Sequence, residues 1–330
     1  MITRQDYKDF PVLMVEFLNY MDAIRNKSKN TISEYASDLR LFFRFLKIYW
    51  GDVPEDTPLE EIDISDIDKK DIRRITLADA YAFLSWCKDE RDNSARTRAR
   101  KVSTLRAFFK YCTVQKHVID ENPMQELETP KMKQSLPKYL TLDESMTLLS
   151  KAAEGPNKER DYAIITLFLN CGMRLSELVS LNYTDIRDDN TVKITGKGNK
   201  ERTIYLNQAC LDALDEWLKK RSTLKIKPEH SKALFISKRG TRISDDMIQI
   251  VIKDLMMQAG IDTKVYSVHK LRHTAATLMY KYGQVDIRNL QLILGHQSVS
   301  TTQIYTHVDD DQLHKAVESN PLASFKPEDK

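Results

Sequence analysis

Six side chains in this 330-residue sequence have the types and spacing to do chemistry on an anion: Arg174, Lys197, His269, Arg272, His296 and Tyr305. They sit in the stretches "GMRLSEL", "TGKGNKER", "HKLRH" and "LGHQSVSTTQIYTHV". Each is a hydrogen-bond donor or a nucleophile, and no carboxylate cluster of the kind that holds magnesium accompanies them. That set suits a metal-free attack on a phosphodiester. Arg174 and Arg272 would neutralise the non-bridging oxygens in a partly dry site, and Lys197 would protonate the departing 5′ oxygen. His269 would accept the phenolic proton, because a tyrosine with pKa ~10 is a weak nucleophile at neutral pH. His296 would complete the ring of donors around Tyr305.

Each residue also has a plainer reading. Arg174 and Glu177, three apart at a helix start, could form a surface ion pair; the preceding Gly172 instead permits a tight turn that brings the guanidinium close to a phosphate. Lys197 could be a solvated turn lysine, and the glycine after it rules out a nucleotide-triphosphate loop. His269 and His273 have the spacing of a zinc pair, but Lys270 stands where a zincin carries its glutamate and no third ligand follows, so no metal is expected. His269 and Arg272 can share a helix face and present donors to one anion. Tyr305 could be a half-buried packing residue. His273 and His307 are assigned to packing, and His117, His230 and His314 to the surface.

The elements that must position these groups can be read from periodicity. In the first part, 29–47 carries Ile32, Tyr35, Leu39, Phe42 and Leu46 on one helical stripe, with Asn30 or Thr31 as cap and Arg40, Arg44 and Lys47 on the opposite face. A second helix at 94–112 turns Val102, Leu105, Phe108, Phe109 and Cys112 inward and places Arg96, Arg98, Arg100, Lys101, Arg106 and Lys110 on its other sides. Between them, 51–72 reads as an acidic inserted loop and 76–90 as a further helix. Pro123, Pro130 and Pro137 then interrupt helix formation. The expected division is a helical domain over 1–126, a linker over 127–138 and a second domain over 139–330.

That second domain is expected to hold helices near 142–153, 158–171, 175–181, 207–221, 244–259, 269–282, 286–294 and 299–306. A hairpin is expected over 191–206, where apolar and polar residues alternate on both sides of a glycine-containing turn. Gly295 is expected to end its helix as a left-handed cap that sets the direction in which His296 leaves, with Ser298 or Ser300 capping the next helix. A last amphipathic piece, 311–322, has Leu313 and Val317 on one side. The fold class is therefore mainly α with a small antiparallel β-sheet.

Composition narrows the function. With 41% hydrophobic residues the chain can bury a core, and its length favours two domains. No run approaches the roughly 18 apolar residues of a membrane span, and the N-terminal residues lack the pattern of a signal peptide. Four dispersed cysteines, Cys87, Cys112, Cys171 and Cys210, fit neither a zinc ribbon nor a disulfide framework and suit a reducing cytoplasm. The net charge of +3 conceals an acidic stretch at 51–72 and a basic one at 91–110.

Taken in order, the four motifs closely resemble those of the tyrosine recombinases, in particular the Xer-like bacterial members, and the likeness covers nearly the whole chain. The resemblance implies a two-domain, C-shaped DNA clamp: a helical core-binding domain over 8–125 and a catalytic domain over 138–320. It makes Arg174 the first arginine, Lys197 the hairpin lysine, His269 and Arg272 the H-x-x-R pair, His296 the second histidine and Tyr305 the nucleophile. It implies a 3′-phosphotyrosine intermediate, no cofactor, metal or ATP, and a homotetramer on two sites in double-stranded DNA, or a heterotetramer with a second recombinase. Arg96, Arg98, Arg100 and Lys101 become DNA contacts, the acidic insert should point away from DNA, and 311–322 could dock on a neighbour or fold back on its own domain. Chromosome-dimer resolution and mobile-element integration or excision both fit, in the cytoplasm and on the nucleoid. The rivals are a type IB-like topoisomerase, sharing the cleavage chemistry without partner exchange, and a cleavage-silent DNA-binding regulator.

Overall fold

The computed structural model describes residues 7–131, 138–195, 201–283 and 285–295. The chain divides into two compact units, Met1–Gln134 and Ser135–Lys330.

The first unit is helical: α1 (Val12–Ala23), α2 (Lys29–Tyr49), α3 (Lys69–Arg74), α4 (Leu77–Asp89) and α5 (Ala95–Val114). Side-chain caps start most of these helices. Ser28 accepts from the Thr31 amide at 3.3 Å and caps α2, the role sequence reading gave to Asn30 or Thr31. Thr76 with Asp79 forms a capping box on α4, and Ser94 caps α5. The expected stripes meet in the core, where Phe17, Phe42, Phe43, Phe83, Phe108 and Phe109 are fully buried. Phe42 meets Phe83 edge-on at 5.1 Å and Phe43 meets Phe108 edge-on at 5.8 Å, the arrangement the ring quadrupole favours.

Two expectations are corrected here. The acidic stretch 51–72 is not merely a loop: it holds a 3₁₀ turn (Leu59–Glu61) and the start of α3, and it sends Ile62, Ile64 and Ile72 into the core. Its backbone and acids occupy the basic face of α2. Arg44 donates to the Ile62 carbonyl at 3.1 Å and Lys47 pairs with Asp66 at 2.5 Å. Lys101, expected on an outer side of α5, is 4% exposed and donates to Asp38 at 2.8 Å. Asp38 is buried on the apolar side of α2 and also accepts from Arg100 at 2.5 Å and Thr104 at 3.0 Å. A buried carboxylate requires such partners, and they draw the lysine inward.

The second unit contains α6 (Leu142–Ala152), α7 (Lys158–Cys171), α8 (Leu175–Ser180), the antiparallel strands β1 (Thr191–Thr195) and β2 (Glu201–Tyr205), α9 (Gln208–Ser222), α10 (Asp245–Gln258), α11 (Val268–Tyr282) and α12 (Ile287–Leu294). Helix α7 is its axis. Ala163 to Leu169 are all buried, so this helix is apolar around most of its circumference and packs against α6, α9 and α11. In the β1–β2 register Ile194 faces Arg202 and Val192 faces Ile204. A small cluster of Ala276, Leu290 and Leu294 joins α12 to α11. All four cysteines are free and buried.

Candidate functional site

Helix α7 ends at Gly172, whose backbone is left-handed (φ 58°, ψ 34°). Any other residue would be strained there, and a Cβ would lie 2.8 Å from the Leu294 Cδ2 atom of α12. The turn reverses the chain into buried Met173 and then Arg174, which begins α8. The Arg174 amide donates to Glu177 Oε2 and its Nη1 to Glu177 Oε1, both at 2.7 Å. The expected ion pair therefore exists, but it is no surface pair: Glu177 is 3% exposed. The other end of Arg174 donates from Nη2 to the Gly295 carbonyl at 3.0 Å.

Arg272 approaches the same point from α11. It is 8% exposed and donates from Nη1 to the Gly172 carbonyl and from Nη2 to the Leu294 carbonyl, each at 2.6 Å. One guanidinium thus satisfies carbonyls at the C-terminal ends of α7 and α12, where orphan acceptors and the negative ends of helix dipoles attract a cation. Helix α12 closes at Gly295 in the left-handed conformation expected from sequence (φ 64°, ψ 46°). Arg174 and Arg272 therefore bind successive carbonyls, Gly295 and Leu294, at the end of the helix that leads into His296.

A third arginine was not anticipated. Arg202 on β2 donates from Nη1 to Glu177 Oε1 at 2.5 Å and from Nη2 to Glu177 Oε2 at 3.0 Å. The signal lay in the alternation of the hairpin. Arg202 stands opposite buried Ile194 and two residues before buried Ile204, which puts it on the inward face, where a charge requires a counter-ion. Burial pushes the Glu177 carboxyl up, but the bonds from Arg202 and Arg174 outweigh it and hold the group below the ordinary glutamate range. Two guanidiniums on one carboxylate, with that of Arg272 bound to the neighbouring Leu294 carbonyl, leave an excess of positive charge, which favours an anionic ligand.

His269 lies in the first turn of α11, one turn before Arg272, and is exposed. His273 is half-buried, as expected of a packing residue. Burial, aided by Lys270, Arg272 and His269, pushes its pKa down to about 4, so the ring is neutral at pH 7. Lys197, His296 and Tyr305 lie outside the described residues, as do the expected helix at 299–306 and the amphipathic piece at 311–322. Among the described residues there is no group of three or more His, Cys, Asp or Glu that could hold a metal ion, and no helix is long and apolar enough to cross a membrane.

In the first unit, Arg96 is exposed near the start of α5 and Arg98, two residues on and on a different side of the helix, is half-buried. Arg100 is divided between solvent and its bond to Asp38, and Lys101 is interior. Arg106 donates to the carbonyl of Leu127, itself fully buried in this unit's core. The exposed basic residues of α5 are therefore Arg96 near its start and Arg106 and Lys110 further along, with Arg98 and Arg100 partly covered.

Two family models match the chain: the phage integrase family over residues 138–312, and the phage integrase N-terminal SAM-like domain over 14–116. A protein named tyrosine recombinase XerC from Caldanaerobacter subterraneus subsp. tengcongensis is 55% identical over 314 residues, covering 95% of this chain and 88% of that protein. Another of the same name from Thermodesulfovibrio yellowstonii is 35% identical, covering 94% and 96%. Among solved structures, the XerH site-specific recombinase bound to a palindromic difH substrate, a post-cleavage complex, matches with a TM-score of 0.67 at 23% identity, over 93% of this chain and 84% of that one.

Proposed function

We propose a function on one premise: the chain belongs to the phage integrase family and is a Xer-like tyrosine recombinase. It cuts and rejoins double-stranded DNA at specific sites. Tyr305 attacks the scissile phosphorus, the 5′ oxygen leaves, and a 3′-phosphotyrosine holds the strand until the 5′ hydroxyl of a partner strand reverses the step. The phenolic proton passes to His269 and Lys197 protonates the departing oxygen. Arg174, Arg272 and His296 stabilise the charge on the non-bridging oxygens. The energy of the broken bond is retained in the phosphotyrosine, so the reaction needs neither ATP nor metal.

The observation that carries this reading is the convergence of Arg174 and Arg272 on the last carbonyls of α12, immediately ahead of His296. Two arginines far apart in sequence thereby meet at the end of one helix, where their charge would attract an anion. A pKa lowered to about 4 makes His273 a weak proton acceptor at neutral pH, which supports its exclusion from the proton-transfer set.

The remaining parts of the proposal rest on the family. Both units contact duplex DNA, with Arg96 and Arg98 among the phosphate contacts of the first unit. Four protomers, identical or paired with a second recombinase, exchange strands between two DNA sites. The chain acts in the cytoplasm on the nucleoid, in chromosome-dimer resolution or in movement of a mobile element.

Incubation with a nicked duplex carrying the site selected from its own genomic DNA, in the presence of chelator, tests the reading. A covalent adduct and exchanged strands are expected, and Tyr305→Phe abolishes the adduct while DNA affinity is retained. Relaxation of supercoiled DNA without exchange would mean a topoisomerase, and binding without adduct a silent regulator; either overturns the proposal.

A further inference from the structure

We propose that Arg202 is a positioning residue that holds Glu177 so that Arg174 is free to turn to the scissile phosphate. The inference rests on the recombinase reading above and adds a residue to it. Glu177 is almost fully buried and accepts four bonds: two from the Arg202 guanidinium, one from the Arg174 guanidinium and one from the Arg174 amide. A buried carboxylate with a single guanidinium partner would keep it, because releasing that partner strands an uncompensated charge. Arg174 would then be bound to Glu177 when it is needed at the phosphate. With Arg202 present, Arg174 can leave and Glu177 still keeps a two-pronged guanidinium and a backbone amide.

The two arginines are placed for this division of labour. The Arg174 side chain is 36% exposed and the Arg202 side chain 14%. Arg202 commits both terminal nitrogens to Glu177, and its Nε is buried with no hydrogen-bond partner among the described residues. It faces the carboxylate and is largely shielded from solvent. It is also fitted against Gly295, where a Cβ would lie 2.8 Å from Arg202 Cδ and 2.9 Å from Nη1. The arginine therefore joins β2, the Glu177 carboxylate and the end of α12 at the point where Arg174 also binds.

The test measures, for full-length protein, single-turnover adduct formation at saturating nicked duplex, duplex affinity and thermal unfolding. For Arg202→Met, adduct formation is expected to fall by at least about tenfold with affinity within about threefold of wild type, the pattern of an interaction used in the transition state and not in binding. Adding Glu177→Gln to Arg202→Met removes the charge that would trap Arg174, and most of the lost rate is expected to return. Arg202→Lys keeps the charge without the paired geometry and is expected to fall between wild type and Arg202→Met, which provides a readout if the methionine variant does not fold. Wild-type rates in Arg202→Met, or a double variant no faster than the single one, overturn the proposal. A wild-type protein that forms no adduct overturns the recombinase reading itself and is recognised before any variant is compared.

Discussion

His273 shows how one residue's environment separates it from its neighbours. It lies one turn from His269 on the same helix, but burial, with help from three nearby cationic or ionisable groups, lowers its pKa to about 4, while an unfolded histidine titrates near ~6.5. Between those values the unfolded chain binds more protons than the folded one, so folding stability rises with pH. The contribution is fully present above about pH 6.5 and is lost as the pH falls toward about 4. Urea unfolding at pH 7.5 and pH 5 should show the wild type losing of order 1 kcal/mol more than His273→Gln, after allowance for solvent screening of a half-buried ring. Equal losses in the two proteins would mean that His273 is protonated in the folded state. The sequence already separated the two histidines by role. What it could not show was the size of the shift, which depends on how deeply α11 is packed.

At the scale of elements, the C-terminal ends of α7 and α12 form a joint held by Arg272 and by two glycines. Gly172 is left-handed and its hydrogen faces Leu294, which is fully buried. Gly172→Ala would add both the backbone penalty of that conformation and a contact that Leu294 must relieve, about 1–3 kcal/mol together. Urea unfolding should show the loss, and cleavage should fall further than stability because the Gly172 and Leu294 carbonyls that hold Arg272 would separate. A variant that loses stability but cleaves DNA at the wild-type rate would show that the joint does not set the position of Arg272. The two glycine caps were legible because αL conformation selects glycine after a periodic run. The charged interior was less so: Asp38 lies among the apolar residues of α2 and draws Lys101 and Arg100 to it. A one-dimensional pattern counts such a lysine as surface, since nothing local marks the aspartate across the core as its partner. The acidic stretch misled for a related reason. Its charges suggested a solvated loop, while its isoleucines, spaced irregularly among them, anchor it to α2.

At the scale of the whole molecule, the chain forms two compact units with separate cores; α2, α4 and α5 lie close to the helices expected from periodicity, whereas α1 and α3 matched no expected helix and Ser28, not Asn30 or Thr31, caps α2. The convergence of Arg174, Arg202 and Arg272 was only partly legible, because it is produced by packing among α7, β2, α11 and α12 and not by any one motif. The junction between the units can be located by what is tied down on each side. Leu127 is buried and its carbonyl is held by Arg106, while Leu140 is buried and its amide donates to Thr274 at 2.9 Å. The intervening chain lies between two anchors, each belonging to its own core, so severing it should cost neither unit its packing. A specific protease site built into 130–137 should therefore yield, on cleavage, two fragments that keep their helical circular dichroism and unfold independently. If both units grip the same duplex, the linker makes the second contact intramolecular, and cutting it should weaken DNA binding by about 10²-fold or more with no contact residue changed. Adding the two purified fragments back at high concentration should restore the footprint. Severed protein that binds as tightly as intact protein would place the whole affinity in one unit and remove the clamp, whereas fragments that lose their helicity would show that the cores depend on each other across the junction.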